Sequence, residues 1–94
     1  MKVYMFQEIE DLIDNCEYYT NEELFYRYED AVKYLKEAYE ATIDDIEKNY
    51  CEEGEGADDY CKINRYSESH YEIYMESEFF ISFNVYEKIV MDFD

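Results

Sequence analysis

The chain has 94 residues, of which 26 are acidic and only 8 are basic, so its formal net charge at neutral pH is −18. This length allows one domain over residues 1–94, and the contents of 48% hydrophobic and 20% aromatic residues argue against a disordered acidic tail. The charge excludes nucleic acid, anionic membranes and acidic substrates as partners, because each of them repels such a surface.

The first predicted element is a strand over residues 2–9. Its side chains are apolar on both faces, which is typical of a central strand; Val3, Met5 and Ile9 lie on one face, Tyr4 and Phe6 on the other. Residues 11–19 are expected to form an irregular acidic connection. The pattern over residues 20–28 is ambiguous, because Thr20 and Glu23 fit a helix capping box whereas the next residues equally fit a short strand.

A long helix is predicted from about Glu29 to Tyr50. Apolar residues recur there at steps of three and four and form one stripe: Val32, Leu35, Tyr39, Thr42, Ile43, Ile46 and Tyr50. The opposite face is charged and contains Asp30, Lys33, Glu37, Glu40, Asp44 and Glu47. We expect the helix to end near Cys51, before the two glycines.

The remainder predicts a long antiparallel hairpin. Its last strand is apolar at odd-numbered positions, at Phe79, Ile81, Phe83, Val85, Ile89, Met91 and Phe93. The preceding strand, over residues 63–75, is apolar at odd positions too, so a three-residue loop at 76–78 is needed to place both apolar sets on one face. The predicted fold is a two-layer α+β domain, in which one long helix packs on an antiparallel sheet of three or four strands that ends in this C-terminal hairpin.

The stretch CEEGEGADDYC, residues 51–61, does not predict a metal site or any other cofactor. Its two cysteines are ten residues apart, unlike closely spaced zinc ligands, and its carboxylates do not fit the ligand positions of a calcium loop. In an intracellular protein three thiols are normally reduced, so we expect Cys16, Cys51 and Cys61 to be free. The stretch is instead interpreted as a flexible acidic linker.

No enzyme motif is present. His70 is expected to share a face with Glu68 and Glu72 as a surface histidine, without the neighbouring groups that a nucleophile or general base requires. A secretory signal is also missing at the start of the sequence, and no apolar run is long enough to span a membrane. These features predict a cytoplasmic protein that is not an enzyme.

The excess charge predicts a surface for a basic protein partner. Carboxylates three or four residues apart on a helix lie about 5–6 Å apart at Cβ, so they can imitate a row of phosphates. The predicted contact residues are Glu37, Glu40, Asp44, Asp45 and Glu47 in the helix, Glu52, Glu53, Glu55, Asp58, Asp59 and Tyr60 in the linker, and Glu68 and Glu72 in the hairpin. Tyrosine is common in binding hot spots, and further candidates next to acids are Tyr18, Tyr19, Tyr26, Tyr28 and Tyr66.

A small, acidic, tyrosine-rich single domain without enzyme motifs resembles the DNA-mimic inhibitors of phages and mobile elements, especially the anti-CRISPR proteins. The resemblance covers the whole chain and rests on composition, not on a motif. It implies an inhibitor of a nucleic-acid-binding host defence enzyme, such as a CRISPR effector nuclease, that occupies the DNA or PAM groove of its target in the host cytoplasm as a monomer or homodimer. The alternative is an acidic regulatory subunit that binds a basic protein unrelated to DNA.

Overall fold

The structure is a computed structural model that describes residues 1–13, 16–76 and 78–90. The elements in chain order are β1 (Lys2–Leu12), β2 (Glu17–Phe25), α1 (Tyr28–Asn49), α2 (Ala57–Tyr60), β3 (Lys62–Ser67), β4 (His70–Met75) and β5 (Phe79–Ile89). The strands form one antiparallel sheet in the order β2-β1-β5-β4-β3. The α+β class and the single long helix are confirmed. The predicted number of three or four strands is wrong, because the sheet has five.

Two segments account for the additional strands. The predicted irregular connection over residues 11–19 instead contains the end of β1 and the start of β2, and β2 continues to Phe25 through the ambiguous segment. The single strand predicted over residues 63–75 is divided into β3 and β4 by a turn at Glu68 and Ser69. In that turn the Ser69 amide donates to the Ser67 hydroxyl over 3.2 Å, so a serine supplies the contact that stabilises the reversal.

The predicted register of the β4–β5 hairpin is confirmed. Met75 lies opposite Phe79, Ile73 opposite Ile81, and Tyr71 opposite Phe83. Because the apolar residues of both strands stand at odd-numbered positions, the sequence predicted this pairing correctly. The middle residue of the loop, Ser77, and the predicted strand positions Met91 and Phe93 lie outside the described residues.

The core lies between α1 and one face of the sheet. Even-numbered residues of β1 and odd-numbered residues of β4 and β5 face the helix, and the fully buried side chains are Phe6, Leu35, Ile73 and Phe83. Burying each such side chain stabilises the fold by about 1.5–3 kcal/mol. The predicted helix bounds agree with α1 within a residue. The apolar stripe is buried at Leu35, Tyr39 and Ile46, but Tyr50 at its end is 50% exposed.

The other sheet face is covered by no helix or strand of the described chain. Val3 and Met5 are nevertheless buried there by their neighbours in the sheet. Strand alternation places few charges on this face: the carboxylates Asp11, Glu22 and Glu72, and the lysines Lys62 and Lys88. Most of the negative charge therefore lies on the helix side or at the ends of the sheet.

Within the described ranges, no helix has the length and apolar character needed to cross a membrane.

Candidate partner-binding surface

Four predicted contact residues form one exposed line along the outer side of α1, and we call Glu37, Glu40, Asp44 and Glu47 the acidic row. Each of them lies away from the buried stripe, so the core orients the row towards solvent. The row is about 15 Å long at the helical rise of 1.5 Å per residue. Asp44 pairs with Lys48 over 2.7 Å, and it is the only member of the row in an ion pair among the residues that the structure describes.

The segment that follows α1 holds five more exposed carboxylates, Glu52, Glu53, Glu55, Asp58 and Asp59, which we call the acidic loop. The predicted linker contains a short helix, α2, at its end, whereas residues 51–56 lie outside helices and strands. Gly54 adopts a φ of 90°, a left-handed conformation that glycine allows, and the Gly56 amide donates to the Asp59 carboxylate over 3.0 Å. Ala57 is buried in the core, so α2 packs against the rest of the domain.

Tyr60 connects the acidic loop to the end of α1. Its ring stacks on Tyr50, with a distance of 5.5 Å between ring centroids and an interplanar angle of 27°. Its hydroxyl donates to a Glu78 carboxylate oxygen over 3.2 Å. Tyr60 is half-buried and supports this junction. Burial, followed by the negative charges of Glu55, Glu47 and Asp59, raises the pKa of the Cys51 thiol. The end of the acidic row therefore lies near the acidic loop.

The two predicted contact residues of the hairpin are not part of that surface. Glu68 lies in the β3–β4 turn and accepts a hydrogen bond of 2.9 Å from the hydroxyl of Tyr28, the first residue of α1. The acidic loop follows the other end of this helix, about 30 Å away. Glu72 lies on the helix-free face, where it is half-buried and contacts His70 Nε2 at 2.9 Å and the Tyr66 hydroxyl at 3.3 Å. His70 shares this face with Glu72 as predicted, but it is half-buried.

Asp45 lies on a flank of α1 that faces β1. It borders a groove of about 220 Å³, which we call the β1 groove. The other residues that line it include Glu10 and Leu12 of β1, Asn49 of α1, Tyr50 directly after α1, and Ile81 of β5. Sequence reasoning missed Glu10 and the exposure of Tyr50. The sequence could have indicated Glu10, because Glu8 and Glu10 stand two residues apart on β1 and so lie together on the face that packs against the helix.

Glu8 differs from the other carboxyl groups of β1. Burial raises its pKa to about 7, and a side-chain hydrogen bond with Glu10 and the negative charge of Glu10 act in the same direction. Two acids two residues apart on one strand face cannot both ionise easily when one is half-buried. A positive charge near this pair would relieve their repulsion.

The opposite flank of α1 interrupts the negative surface. A cleft of about 300 Å³ there is bordered by Lys36, Tyr39, Glu40, Arg65 and Tyr71. The Arg65 guanidinium lies 5.4 Å from the centroid of the Tyr39 ring, within the range of a cation–π contact. Lys36 and Arg65 lie beside Glu40 at this cleft, so cations interrupt the row of carboxylates on this side.

The remaining chemistry-bearing groups do not form a site. In the described part of the chain no group of three or more His, Cys, Asp and Glu side chains has a geometry suited to a metal ion. The three cysteines are unpaired; Cys16 is exposed, Cys51 is half-buried and Cys61 is buried. Burial, followed by the nearby Cys51 and Glu78, raises the pKa of the Cys61 thiol to about 11, which keeps it protonated and unreactive at neutral pH.

The predicted tyrosines are spread over several elements. Tyr18, Tyr19, Tyr26 and Tyr66 are exposed, whereas Tyr28 is half-buried. The exposed ones lie on β2, directly after it and on β3, so they do not border the acidic row.

In comparisons with known proteins, no protein family, no curated protein and no solved structure matched this chain.

Proposed function

We propose that the protein inhibits a nucleic-acid-binding defence enzyme of a host cell by imitating DNA, as an anti-CRISPR protein that occupies the DNA or PAM groove of an effector nuclease. The observation that supports this proposal is the continuity of the acidic row with the acidic loop. Together they present nine exposed carboxylates, and within the described residues only Asp44 among them is neutralised by an ion pair.

The acidic surface is complementary to the cations that normally contact phosphates in a DNA-binding groove. Duplex DNA has one negative charge per about 1.7 Å of axis, whereas carboxylates along a helix are about 5–6 Å apart. The carboxylates are therefore more widely spaced than the phosphates and can replace only some of their contacts with arginine and lysine. Its net charge steers a basic partner into fast encounter, and an occupied groove excludes DNA.

The first test uses purified CRISPR effector nucleases and labelled target duplex that contains the PAM. The protein should displace the duplex from a susceptible effector in a mobility-shift assay and should not shift the duplex alone. Direct binding of the protein to the effector, measured without DNA, should weaken as salt rises, because screening reduces the attraction. Direct binding of the protein to the duplex at moderate salt would contradict the proposal.

A charge-reversal variant tests the surface itself. Changing all four residues of the acidic row to lysine should abolish inhibition, because the nearest carboxylates are reversed while the buried stripe is unchanged. The matched control reverses four exposed carboxylates on other elements, Glu17, Glu22, Glu23 and Glu87, and should inhibit much better than the first variant. Circular dichroism checks that both variants fold. If the row variant inhibits normally while changes at Glu68, Glu72 and Glu76 disable the protein, the hairpin is the contact surface.

The alternative function, regulation of a basic protein unrelated to DNA, makes a different prediction. Capture from a host lysate would then recover a basic protein without nuclease or DNA-binding activity, and no effector in the displacement assay would lose its DNA. Neighbouring genes provide an independent check, since anti-defence genes favour DNA mimicry and an adjacent basic toxin gene favours the alternative.

A further inference from the structure

The β1 groove combines an apolar floor with carboxylates at its rim. Leu12 is half-buried, and Ile46, Phe79 and Ile81 are buried beneath the opening. Glu10 and Asp45 approach it from β1 and α1, and neither is in an ion pair in the part of the chain that the structure describes. An acidic cluster alone would attract any cation, whereas this floor favours one with a long apolar stem.

The third feature of the β1 groove is an exposed aromatic ring. Tyr50 borders the same groove and is 50% exposed, and its ring is supported by Tyr60 at 5.5 Å and Phe79 at 6.1 Å between centroids. Supported tyrosine rings attract planar guanidinium groups by stacking and by cation–π attraction, and they do so more effectively for arginine than for lysine. The side-chain amide of Asn49 adds a hydrogen-bonding group at the same rim.

We infer that the β1 groove is the docking site for an arginine side chain of the basic partner, with the aliphatic stem on the apolar floor, the guanidinium against Tyr50, and its N–H groups donating to Glu10 and Asp45. This inference rests on the proposed function for the identity of the partner, and it assigns a specific anchoring residue to it. Charge complementarity selects this occupant, because the groove is unpaired and negative within a molecule of net charge −18.

The electrostatics of β1 support this occupant. Glu8 lies on the same strand face as Glu10, and burial together with Glu10 keeps the pKa of Glu8 high. A bound guanidinium would interact with Glu10 and stabilise the negative charge of this pair. Buried arginine anchors in a pocket are frequent hot spots of protein interfaces, so one such contact can determine where the partner binds along the acidic surface.

The test needs no target protein. Isotope-labelled protein is titrated with N-acetyl-arginine amide and, as a neutral control of nearly the same shape, with N-acetyl-citrulline amide, while backbone amide shifts are recorded by NMR. The arginine probe should give saturable shifts at Glu10, Asp45, Asn49 and Ile81, and the citrulline probe should not. Equal shifts with both probes, no saturable shifts, or shifts centred on the acidic row would overturn the assignment.

Two matched variants test the contacts. Glu10→Gln with Asp45→Asn should weaken binding of the arginine probe about tenfold, because two charge contacts are each worth several-fold. Asp30→Asn with Glu23→Gln removes the same charge from exposed positions of α1 and β2 outside the acidic row and should change the affinity by less than about threefold. Similar losses in both variants would mean that the probe senses only net charge, and the site would be wrong.

The aromatic contact has a separate readout. The wild-type protein should bind N-acetyl-arginine amide more tightly than N-acetyl-lysine amide, and Tyr50→Leu should remove this preference without changing the charge. An unchanged preference would contradict the role of Tyr50. The probe results also separate the two proposals. If arginine binds in the groove but no effector is inhibited, DNA mimicry is wrong and the groove assignment stands. If an effector is inhibited but the probe does not bind, the groove assignment is wrong and DNA mimicry stands.

Discussion

Glu8 is a single carboxyl group through which pH should affect the whole fold. Its pKa is about 7 in the folded protein, against an ordinary value of 4.5. As pH rises from 4.5 to 7, the unfolded chain loses this proton while the folded protein keeps it, so the free energy of unfolding falls across that window. Above pH 7 both states have lost the proton, and the free energy of unfolding falls no further through this group. Because the group is only half-buried, solvent screening limits the effect to about 1–2 kcal/mol.

The variant Glu8→Gln isolates this effect, because glutamine cannot ionise. Between about pH 5 and pH 7.5, its free energy of unfolding in urea should fall by about 1–2 kcal/mol less than that of the wild type. Glu23→Gln, at an exposed position of β2, is the control and should show the wild-type pH dependence. Identical slopes for all three proteins would show that Glu8 ionises normally.

Among the elements, the packing of α1 on the sheet depends strongly on one buried side chain. Leu35 is fully buried between the helix and the sheet. Leu35→Ala should lower the free energy of unfolding by about 2–5 kcal/mol, because it removes buried methyl groups and leaves a cavity. Lys33→Ala, on the exposed side of the same helix, should change it by less than about 0.5 kcal/mol. Urea denaturation measures both, and equal effects would mean that α1 does not pack as described.

The elements also differ in how far the sequence could predict them. α1 and the β4–β5 register were predictable because burial imposes a period on their residues. β2 was not, because nearly all of its residues are exposed and it is held at the edge of the sheet by backbone pairing with β1. The β3–β4 turn contains no glycine, proline or asparagine; the contact between Ser67 and Ser69 replaces the usual turn residues.

The candidate surface was predictable where it follows the helical period and where carboxylates cluster directly after the helix. The acidic row lies opposite the buried stripe, so its exposure was implied by the sequence. The β1 groove was not implied, because Glu10 and Asp45 lie far apart in the chain and meet only through the packing of α1 on the sheet. Glu68 and Glu72 were expected on one strand of the hairpin, whereas Glu68 lies in the turn that separates β3 from β4 and Glu72 lies in β4.

At the scale of the whole molecule, the net charge should oppose folding. A charge of −18 on 94 residues repels itself most strongly in the compact state, and the described residues contain few ion pairs to offset it. The melting temperature should therefore rise between about 10 mM and 200 mM sodium chloride, because the Debye length shortens from about 30 Å to below 10 Å. A melting temperature that falls over this range would show that attraction between internal charges dominates.

The pairing of β1 with β5 has a consequence for the order in which the protein can fold. Lys2 lies opposite Ile89 and Asp11 opposite Phe80, so the centre of the sheet joins segments from distant parts of the chain. During synthesis β1 and β2 can form a hairpin early, but Phe6 has no partner at Val85 until β5 has left the ribosome. Closing so long a loop is entropically slow. The acidic surface therefore acquires its rigid support only after translation has passed β5, and until then its aromatic core is open to aggregation.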